Sequence, residues 1–263
     1  MIGLGTYSFF WQFSSLAAEP LTLADMLRRT RELDVDLFQI CDYPQLLNYS
    51  TAEVRELRGV ADDLGIQLEL GTRGVLSDHL TSYLSLAETL GATVVRSMIN
   101  AADHTPSLAE AESLLRTALP AYEGAGVTLA LETYEQISSR DLVSLVEAVA
   151  SPRLGICLDP ANSVAALENP IDVIDRCAPY VANIHSKDFA FTRRGGWVGF
   201  TLEGVPLGTG LLDYDYLLEK VRPEERGINQ IIEHWLPLGE TIEDTIALEN
   251  TWNTSNLHYL RSK

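Results

Sequence analysis

The stretch AGVTLALETYEQISSRDLVSLVEAVASPRLGICLDPAN, residues 125–162, contains one complete strand–helix repeat and the start of the next. Its first apolar run, VTLAL, is typical of a buried strand and ends at Glu132. The segment RDLVSLVEAVA then places Leu142, Leu145, Val146 and Val149 on one stripe of a helix, which Ser151-Pro152 ends. A second apolar run, LGICL, follows and ends at Asp159. Such a repeat predicts a parallel sheet whose strands are joined by helices.

The same alternation extends along the whole chain. Strand-type runs lie near residues 2–7, 37–41, 66–71, 93–97, 127–132, 154–158, 180–185 and 228–233. Between them run segments with helical periodicity, and Ser107 with Glu110 predicts a capping box at the start of one helix. The chain lacks a glycine-rich dinucleotide fingerprint, and its 263 residues match the usual length of a barrel. We therefore predict an α/β fold, a single (β/α)₈ TIM barrel over residues 1–263.

Four side chains that can bind a metal stand at the ends of four of these runs. They are Glu132, Asp159, His185 and Glu233. Because the active site of such a barrel lies at the carboxyl ends of its strands, we expect the four side chains to converge on one rim. Carboxylates with one imidazole suit Mn²⁺, Mg²⁺, Co²⁺ or Zn²⁺ in a site open to substrate.

Composition limits the partners and the location of the protein. The formal net charge of −18, without a compensating basic stripe, disfavours a nucleic acid partner. The chain has no apolar run of membrane-spanning length and enters a strand-like pattern at its first residues, so we expect a cytoplasmic protein without membrane contact. The three cysteines are widely spaced in apolar surroundings, which predicts free buried thiols.

Several segments resemble a known family. They are LALET at 129–133, SPRLGICLDPAN at 151–162, APYVANIHSKD at 178–188, VPLGTGLLDY at 205–214 and QIIEHW at 230–235. These are similar to the xylose-isomerase-like barrel superfamily of sugar and sugar-phosphate isomerases and epimerases. In relatives similar to D-tagatose 3-epimerase, the matching Glu, Asp, His and Glu bind one divalent metal, commonly Mn²⁺, and the two glutamates exchange protons with the substrate. The resemblance implies that Glu132, Asp159, His185 and Glu233 bind the metal and that the two glutamates exchange protons with the substrate. It also implies that Lys187 lies in the substrate pocket. It is compatible with a homo-oligomer.

One departure from the family bears on the chemistry. Many relatives have a histidine where this chain has Asn162. An asparagine can donate a hydrogen bond to a hydroxyl or carboxylate, but it cannot act as a cationic proton donor. The substitution leaves the epimerase mechanism open to question.

Further residues are candidates for binding substrate. Arg96 ends the fourth strand. Its position predicts either that it binds an anionic group of the substrate or that it forms an ion pair with Glu132 or Glu69. Tyr7 follows the first strand, and Arg193 and Trp197 lie in the connection 188–212, which is long enough to be a lid. An aromatic face such as that of Tyr7 or Trp197 can pack on the C–H groups of a sugar.

Three functions remain open at this stage. The leading hypothesis is a metal-dependent isomerase or epimerase of a keto sugar or sugar derivative, in which Glu132 and Glu233 move a proton through a metal-stabilised enediolate. The alternative is a metal-dependent lyase that decarboxylates a 3-oxo sugar acid, with Arg96, Lys187 and Arg193 as carboxylate holders. The remote alternative is a sugar-binding protein without catalysis. The sequence leaves the substrate, its phosphorylation and the identity of the metal open.

Overall fold

A computed structural model describes residues 1–263, apart from the side chain of Trp197. Its strands are β1 Ile2–Gly5, β2 Leu37–Cys41, β3 Gln67–Arg73, β4 Val94–Met98, β5 Thr128–Glu132, β6 Leu154–Leu158, β7 Val181–Ser186, β8 Asp188–Arg193, β9 Phe200–Val205 and β10 Asn229–Ile232. All except β8 and β9 pair in parallel and close into one barrel, in the order β1-β10-β7-β6-β5-β4-β3-β2. The predicted eight-stranded barrel is confirmed, and each predicted strand lies within two residues of its observed bounds.

Helices surround the barrel and connect its strands. They are α1 Phe10–Phe13, α2 Leu23–Glu32, α3 Thr51–Leu64, α4 Ser77–Leu90, α5 Leu108–Ala125, α6 Ser139–Val149, α7 Pro160–Ser163, α8 Pro170–Cys177, α9 Tyr214–Val221, α10 Pro223–Arg226 and α11 Ile242–Arg261. The predicted stripe of α6 is buried against the sheet. No helix among the described residues is long and apolar enough to cross a membrane.

The ends of the helices follow from local sequence signals. Thr22 and Ser50 form complete capping boxes at the starts of α2 and α3. At α5 the predicted box is only half formed, because Ser107 accepts from the Glu110 N–H while the Glu110 carboxylate contacts His104. Helix α3 ends at Gly65, whose φ of 68° lies in the left-handed region.

The connection 188–212, which we predicted to be a loop, contains an antiparallel hairpin. Strands β8 and β9 pair from Asp188 with Val205 to Arg193 with Phe200. The Asp188 carboxylate fixes the base of this hairpin, because it accepts backbone N–H groups from Phe189, Gly208, Gly210 and Leu212. The sequence analysis did not predict these two strands, because it overlooked the alternating polar and apolar residues on either side of the glycines.

Strand packing leaves no room for a side chain at Gly71 in β3. A Cβ atom there would lie 2.5 Å from Cys41 Sγ and 3.0 Å from Cys41 Cα on β2. Gly59 of α3 gives a matched comparison, since a Cβ atom at that position would meet nothing within 4 Å.

We predict opposite effects of the same substitution at these two glycines. Gly71→Ala should lower the free energy of unfolding by about 1–3 kcal/mol through overpacking. Gly59→Ala should raise it by about 0.5–1 kcal/mol, because alanine in a helix loses less conformational entropy on folding. Urea unfolding followed by circular dichroism measures both values, and equal effects of the two variants would contradict the packing described for β2 and β3.

Candidate metal centre and active site

The structure brings together the four side chains that the sequence predicted as ligands. One ligand atom from each of Glu132, Asp159, His185 and Glu233 lies within 4.8 Å of all the others. Glu132 ends β5 and His185 lies near the end of β7, whereas Asp159 and Glu233 directly follow β6 and β10. All four are buried at the carboxyl end of the barrel.

Unsatisfied atoms in this cluster fit a bound cation. Among the described residues, six buried side-chain nitrogen or oxygen atoms lack a hydrogen-bond partner, and four of them belong to these four residues. Two of these atoms, Glu132 Oε2 and Asp159 Oδ2, form ion pairs with Arg96 and Lys187. The other two, His185 Nδ1 and Glu233 Oε1, lie 3.2 Å apart without a hydrogen bond. Buried polar atoms are normally paired, so two electron-pair donors facing each other fit a cation between them. Three carboxylates and one imidazole nitrogen match the ligand preferences of Mn²⁺, Mg²⁺ or Zn²⁺. The side chains present therefore fit one divalent metal ion.

Lys187 provides positive charge inside the cluster. Its Nζ atom lies 2.7 Å from both Asp159 Oδ2 and Glu233 Oε2, and 4.7 Å from the ring centroid of Trp235. Burial alone would lower the pKa of Lys187, but the carboxylates of Asp159 and Glu233 hold it well above its usual value. The predicted pocket residue is thus in the pocket, as a fixed cation between two candidate metal ligands.

Arg96 balances the opposite side of the cluster. It forms an ion pair with Glu132, lies 3.2 Å from Asp42 Oδ1, and donates to the Thr72 carbonyl oxygen at 2.8 Å. Burial tends to raise the pKa of Glu132, yet the Arg96 guanidinium and then His185 lower it to about 2. Of the two structural pairs predicted for Arg96, the one with Glu132 is present, whereas Glu69 bonds to amides instead.

Asn162 holds two of the candidate ligands in position. Its side-chain amide donates to Glu132 Oε1 at 2.8 Å, and its backbone N–H donates to Asp159 Oδ1 at 3.2 Å. The local sequence Asp-Pro-Ala-Asn explains this arrangement, because an aspartate caps α7 and a proline occupies its first turn. Asn162 thus contacts the protein's own Glu132, and the predicted contact of Asn162 with a substrate stays a prediction.

The cavity beside the cluster contains residues that the sequence analysis missed. The missed residues are Asp42, Arg73 and Tyr134, which line it together with Tyr7 and Trp235. Arg73 Nη2 donates to Asp42 Oδ2 at 2.8 Å and to the Tyr7 hydroxyl at 3.0 Å. Asp42 and Arg73 stand at the ends of β2 and β3, so the rule that found the four ligands would also have found them.

Two further candidates for substrate binding, Arg193 and Trp197, belong to the hairpin connection. Arg193 ends β8 with an exposed side chain, and its guanidinium lies 4.7 Å from the ring centroid of Phe200. It is not among the described residues that line the cavity. The side chain of Trp197 lies outside the described residues. Contact of either residue with a substrate stays a prediction.

Comparison with known proteins identifies the family of the chain. The family model described as "Xylose isomerase-like TIM barrel" matches residues 27–251. The chain belongs to this family. Its sequence is 54% identical over 262 residues to a 3-oxo-isoapionate decarboxylase of Pectobacterium atrosepticum, covering 100% of this chain and 95% of that protein.

Solved structures show the same fold at low sequence identity. D-psicose 3-epimerase from Clostridium cellulolyticum H10, solved with D-tagatose, superposes with a TM-score of 0.77 at 13% identity, covering 99% of this chain and 98% of that one. A xylose isomerase-like TIM barrel protein from Mycobacterium smegmatis, solved in complex with magnesium, gives 0.71 at 18% identity, covering 97% and 96%. The predicted family resemblance is confirmed.

The cluster predicts stabilisation by a divalent cation. Mn²⁺ at about 100 times its Kd should raise the free energy of unfolding by roughly 2.7 kcal/mol. Asp159→Asn should lose most of this gain, because it removes a charged ligand while keeping the oxygen that caps α7. Thermal unfolding with Mn²⁺ and with a chelator measures the difference.

A surface carboxylate provides the control for this experiment. Asp175 also lies beside a lysine, at 3.2 Å from Lys220 Nζ, but it is outside the cluster. Asp175→Asn should respond to Mn²⁺ like the wild type. If the wild type gained nothing from Mn²⁺, or if Asp159→Asn gained as much, these four side chains would not be the cation site.

Proposed function

We propose that this protein is a metal-dependent decarboxylase of a 3-oxo sugar acid. The observation that carries the proposal is the 54% identity with 3-oxo-isoapionate decarboxylase, which extends over all of this chain and nearly all of the relative. Of the functions predicted from the sequence, this was the alternative, and the comparison supports it better than the isomerase hypothesis.

The charges around the cavity favour an anionic substrate. Four carboxylates, Asp42, Glu132, Asp159 and Glu233, face three cationic side chains, Arg73, Arg96 and Lys187. With His185 neutral, as a metal ligand must be, this set carries one excess negative charge. A divalent cation would convert it into one excess positive charge, which the carboxylate of a sugar acid would cancel. A neutral ketose would leave that charge uncompensated in a buried site, which is costly.

The proposed reaction breaks the bond between C1 and C2 of the substrate. Carbon dioxide leaves, its bonding electron pair stays on C2 and the 3-oxo group as an enolate, and C2 then takes up one proton from solvent. A divalent ion held by Glu132, Asp159, His185 and Glu233 would act as a Lewis acid that withdraws electrons from the 3-oxo group. Lys187 and Arg96 stay protonated beside the candidate metal site. Their positive charges are already in place, so they stabilise the developing negative charge of the enolate without movement of the side chains.

Both candidate bases of the isomerase mechanism carry a cationic partner. Glu132 pairs with Arg96 and accepts from Asn162, while Glu233 pairs with Lys187. A carboxylate held in this way is a weaker base, whereas loss of CO₂ requires no base at all. Epimerisation of a keto sugar remains the second candidate, because the two glutamates share one cluster and a D-psicose 3-epimerase has the same fold.

Arg73 is the side chain best placed to hold the substrate carboxylate. Arg96 and Lys187 are almost completely buried, and each contacts two acids. Arg73 is 49% exposed at the cavity, and in its contacts with the described residues Asp42 and Tyr7 it uses the Nη2 atom. Its Nε–H and Nη1–H groups can still donate a charge-assisted hydrogen bond to a substrate carboxylate.

Cytoplasmic location and a homo-oligomeric state stay predictions from the sequence. The metal ion is proposed to be Mn²⁺ or Mg²⁺, which oxygen ligands favour.

An assay of gas release and proton uptake separates the candidate functions. Decarboxylation of a 3-oxo sugar acid should release one CO₂ per turnover and consume one proton, provided that a gas stream removes the CO₂ before it hydrates to bicarbonate and returns the proton. Epimerisation of a ketose changes neither quantity, and a protein that only binds sugar catalyses neither reaction. A pH-stat with CO₂ detection, run with Mn²⁺ and with a chelator, measures both. Ketose epimerisation without CO₂ release from any 3-oxo sugar acid would contradict the proposal.

Comparing Arg73 with Arg193 tests which arginine holds the carboxylate. Arg73→Gln should raise KM by roughly tenfold to a hundredfold, the value of one or two hydrogen bonds to a charged group. We expect a smaller change in kcat, because the contacted carboxylate departs as CO₂ in the reaction. Arg193→Gln, on the hairpin, should leave KM unchanged. A large rise in KM for Arg193→Gln, with none for Arg73→Gln, would reverse the assignment.

A further inference from the structure

A hydrogen-bonded network of polar side chains lies inside the barrel and includes His185. Gln39 on β2, Glu69 on β3 and Asn183 on β7 are buried on strands of the closed barrel and hydrogen-bond to one another. Gln39 Oε1 lies 2.8 Å from His185 Nε2, on the side of the imidazole opposite to Nδ1. The ring thus has one nitrogen facing the barrel centre and the other facing the candidate metal ligands.

Glu69 fixes the direction of every hydrogen bond in this network. Its Oε2 atom accepts from Gln39 Nε2 at 3.0 Å and from Asn183 Nδ2 at 2.9 Å, and its Oε1 atom accepts from Asn229 Nδ2 at 2.6 Å. A carboxylate can only accept, so each neighbouring amide must turn its NH₂ group toward Glu69. At the far end of this arrangement, the amino group of Met1 donates to Asn229 Oδ1 at 3.1 Å.

The orientation of Gln39 determines which nitrogen of His185 is available. Since Gln39 Nε2 is turned toward Glu69 and toward Asn183 Oδ1, its Oε1 atom must face the imidazole. An acceptor there requires the His185 proton on Nε2 and leaves the Nδ1 lone pair free. Nδ1 is the atom that lies 3.2 Å from Glu233 Oε1 and lacks a hydrogen bond.

We propose that Gln39 and Glu69 are positioning residues that prepare His185 to bind the metal ion through Nδ1. Gln39 acts on the imidazole directly, and Glu69 acts through Gln39. The inference rests on the metal site of the proposed function but concerns residues that touch neither metal nor substrate. Loss of the acceptor that hydrogen-bonds the non-ligating nitrogen of a metal-bound histidine typically weakens metal binding by about 10- to 100-fold.

Two substitutions test this assignment. Gln39→Met keeps the length of the side chain but removes the acceptor for Nε2–H. Glu69→Gln keeps the shape but introduces a donor, so Gln39 can turn its NH₂ group toward His185 and force the proton onto Nδ1. Both variants should bind Mn²⁺ roughly 10- to 100-fold more weakly than the wild type in titration calorimetry.

A second buried glutamate provides the matched control. Glu249 of α11 is fully buried and also accepts several N–H groups, from the Trp11 and Gln12 backbones and the Gln12 amide. Glu249 does not belong to the hydrogen-bonded network that includes His185. Like Glu69→Gln, Glu249→Gln replaces a buried carboxylate that accepts several N–H groups, so it should also destabilise the fold. It should leave the Kd for Mn²⁺ unchanged.

Nuclear magnetic resonance of ¹⁵N-histidine-labelled protein loaded with Zn²⁺ gives a readout that a merely structural role would not move. In the wild type, His185 should bind Zn²⁺ through Nδ1 and show an Nε2–H proton protected from exchange with water. In Gln39→Met this protection should be lost. Binding through Nε2 in the wild type, or variants that bind Mn²⁺ as tightly as Glu249→Gln, would overturn the assignment. Absence of any Mn²⁺ uptake by the wild type would instead remove the metal site itself.

Discussion

Mutual repulsion among buried carboxylates is the constraint on which the site depends. Glu132, Asp159 and Glu233 lie together away from water, where like charges cannot remain close without compensation. The barrel supplies that compensation from two sides, with Arg96 on one and Lys187 on the other. The remaining unsatisfied atoms leave a place for one more cation, which is why the same cluster can be both tolerated by the fold and suited to catalysis.

Much of this arrangement could be predicted because parallel strands end at one edge. Once Glu132 and His185 were placed at strand ends, their convergence followed from the closed barrel and required no knowledge of the side chains between them. The interior contacts of Gln39 and Glu69 could not be predicted in this way. The contacts of Gln39 with His185 and of Glu69 with Asn183 join strands that are distant in the sequence. Even between the consecutive strands β2 and β3, a buried Gln or Glu within an apolar run gives no signal of its partner.

The fold alone does not determine the reaction. A D-psicose 3-epimerase and this chain share a barrel at 13% identity, whereas the decarboxylase that supports the proposed function is 54% identical. The proposed reaction therefore rests on particular side chains of this chain. Asn162 cannot act as a cationic acid, and Arg73 is a partly exposed cation at the cavity. Together they favour an anionic substrate that loses CO₂ over a neutral sugar that exchanges a proton.

The most direct test is anomalous diffraction at the manganese edge from crystals grown with Mn²⁺. The account predicts one strong peak at about 2.0–2.3 Å from Glu132, Asp159, Glu233 and Nδ1 of His185, the usual range for such ligands. A peak at another place, or one bound by fewer than three of these side chains, would contradict the claim that they share a single ion.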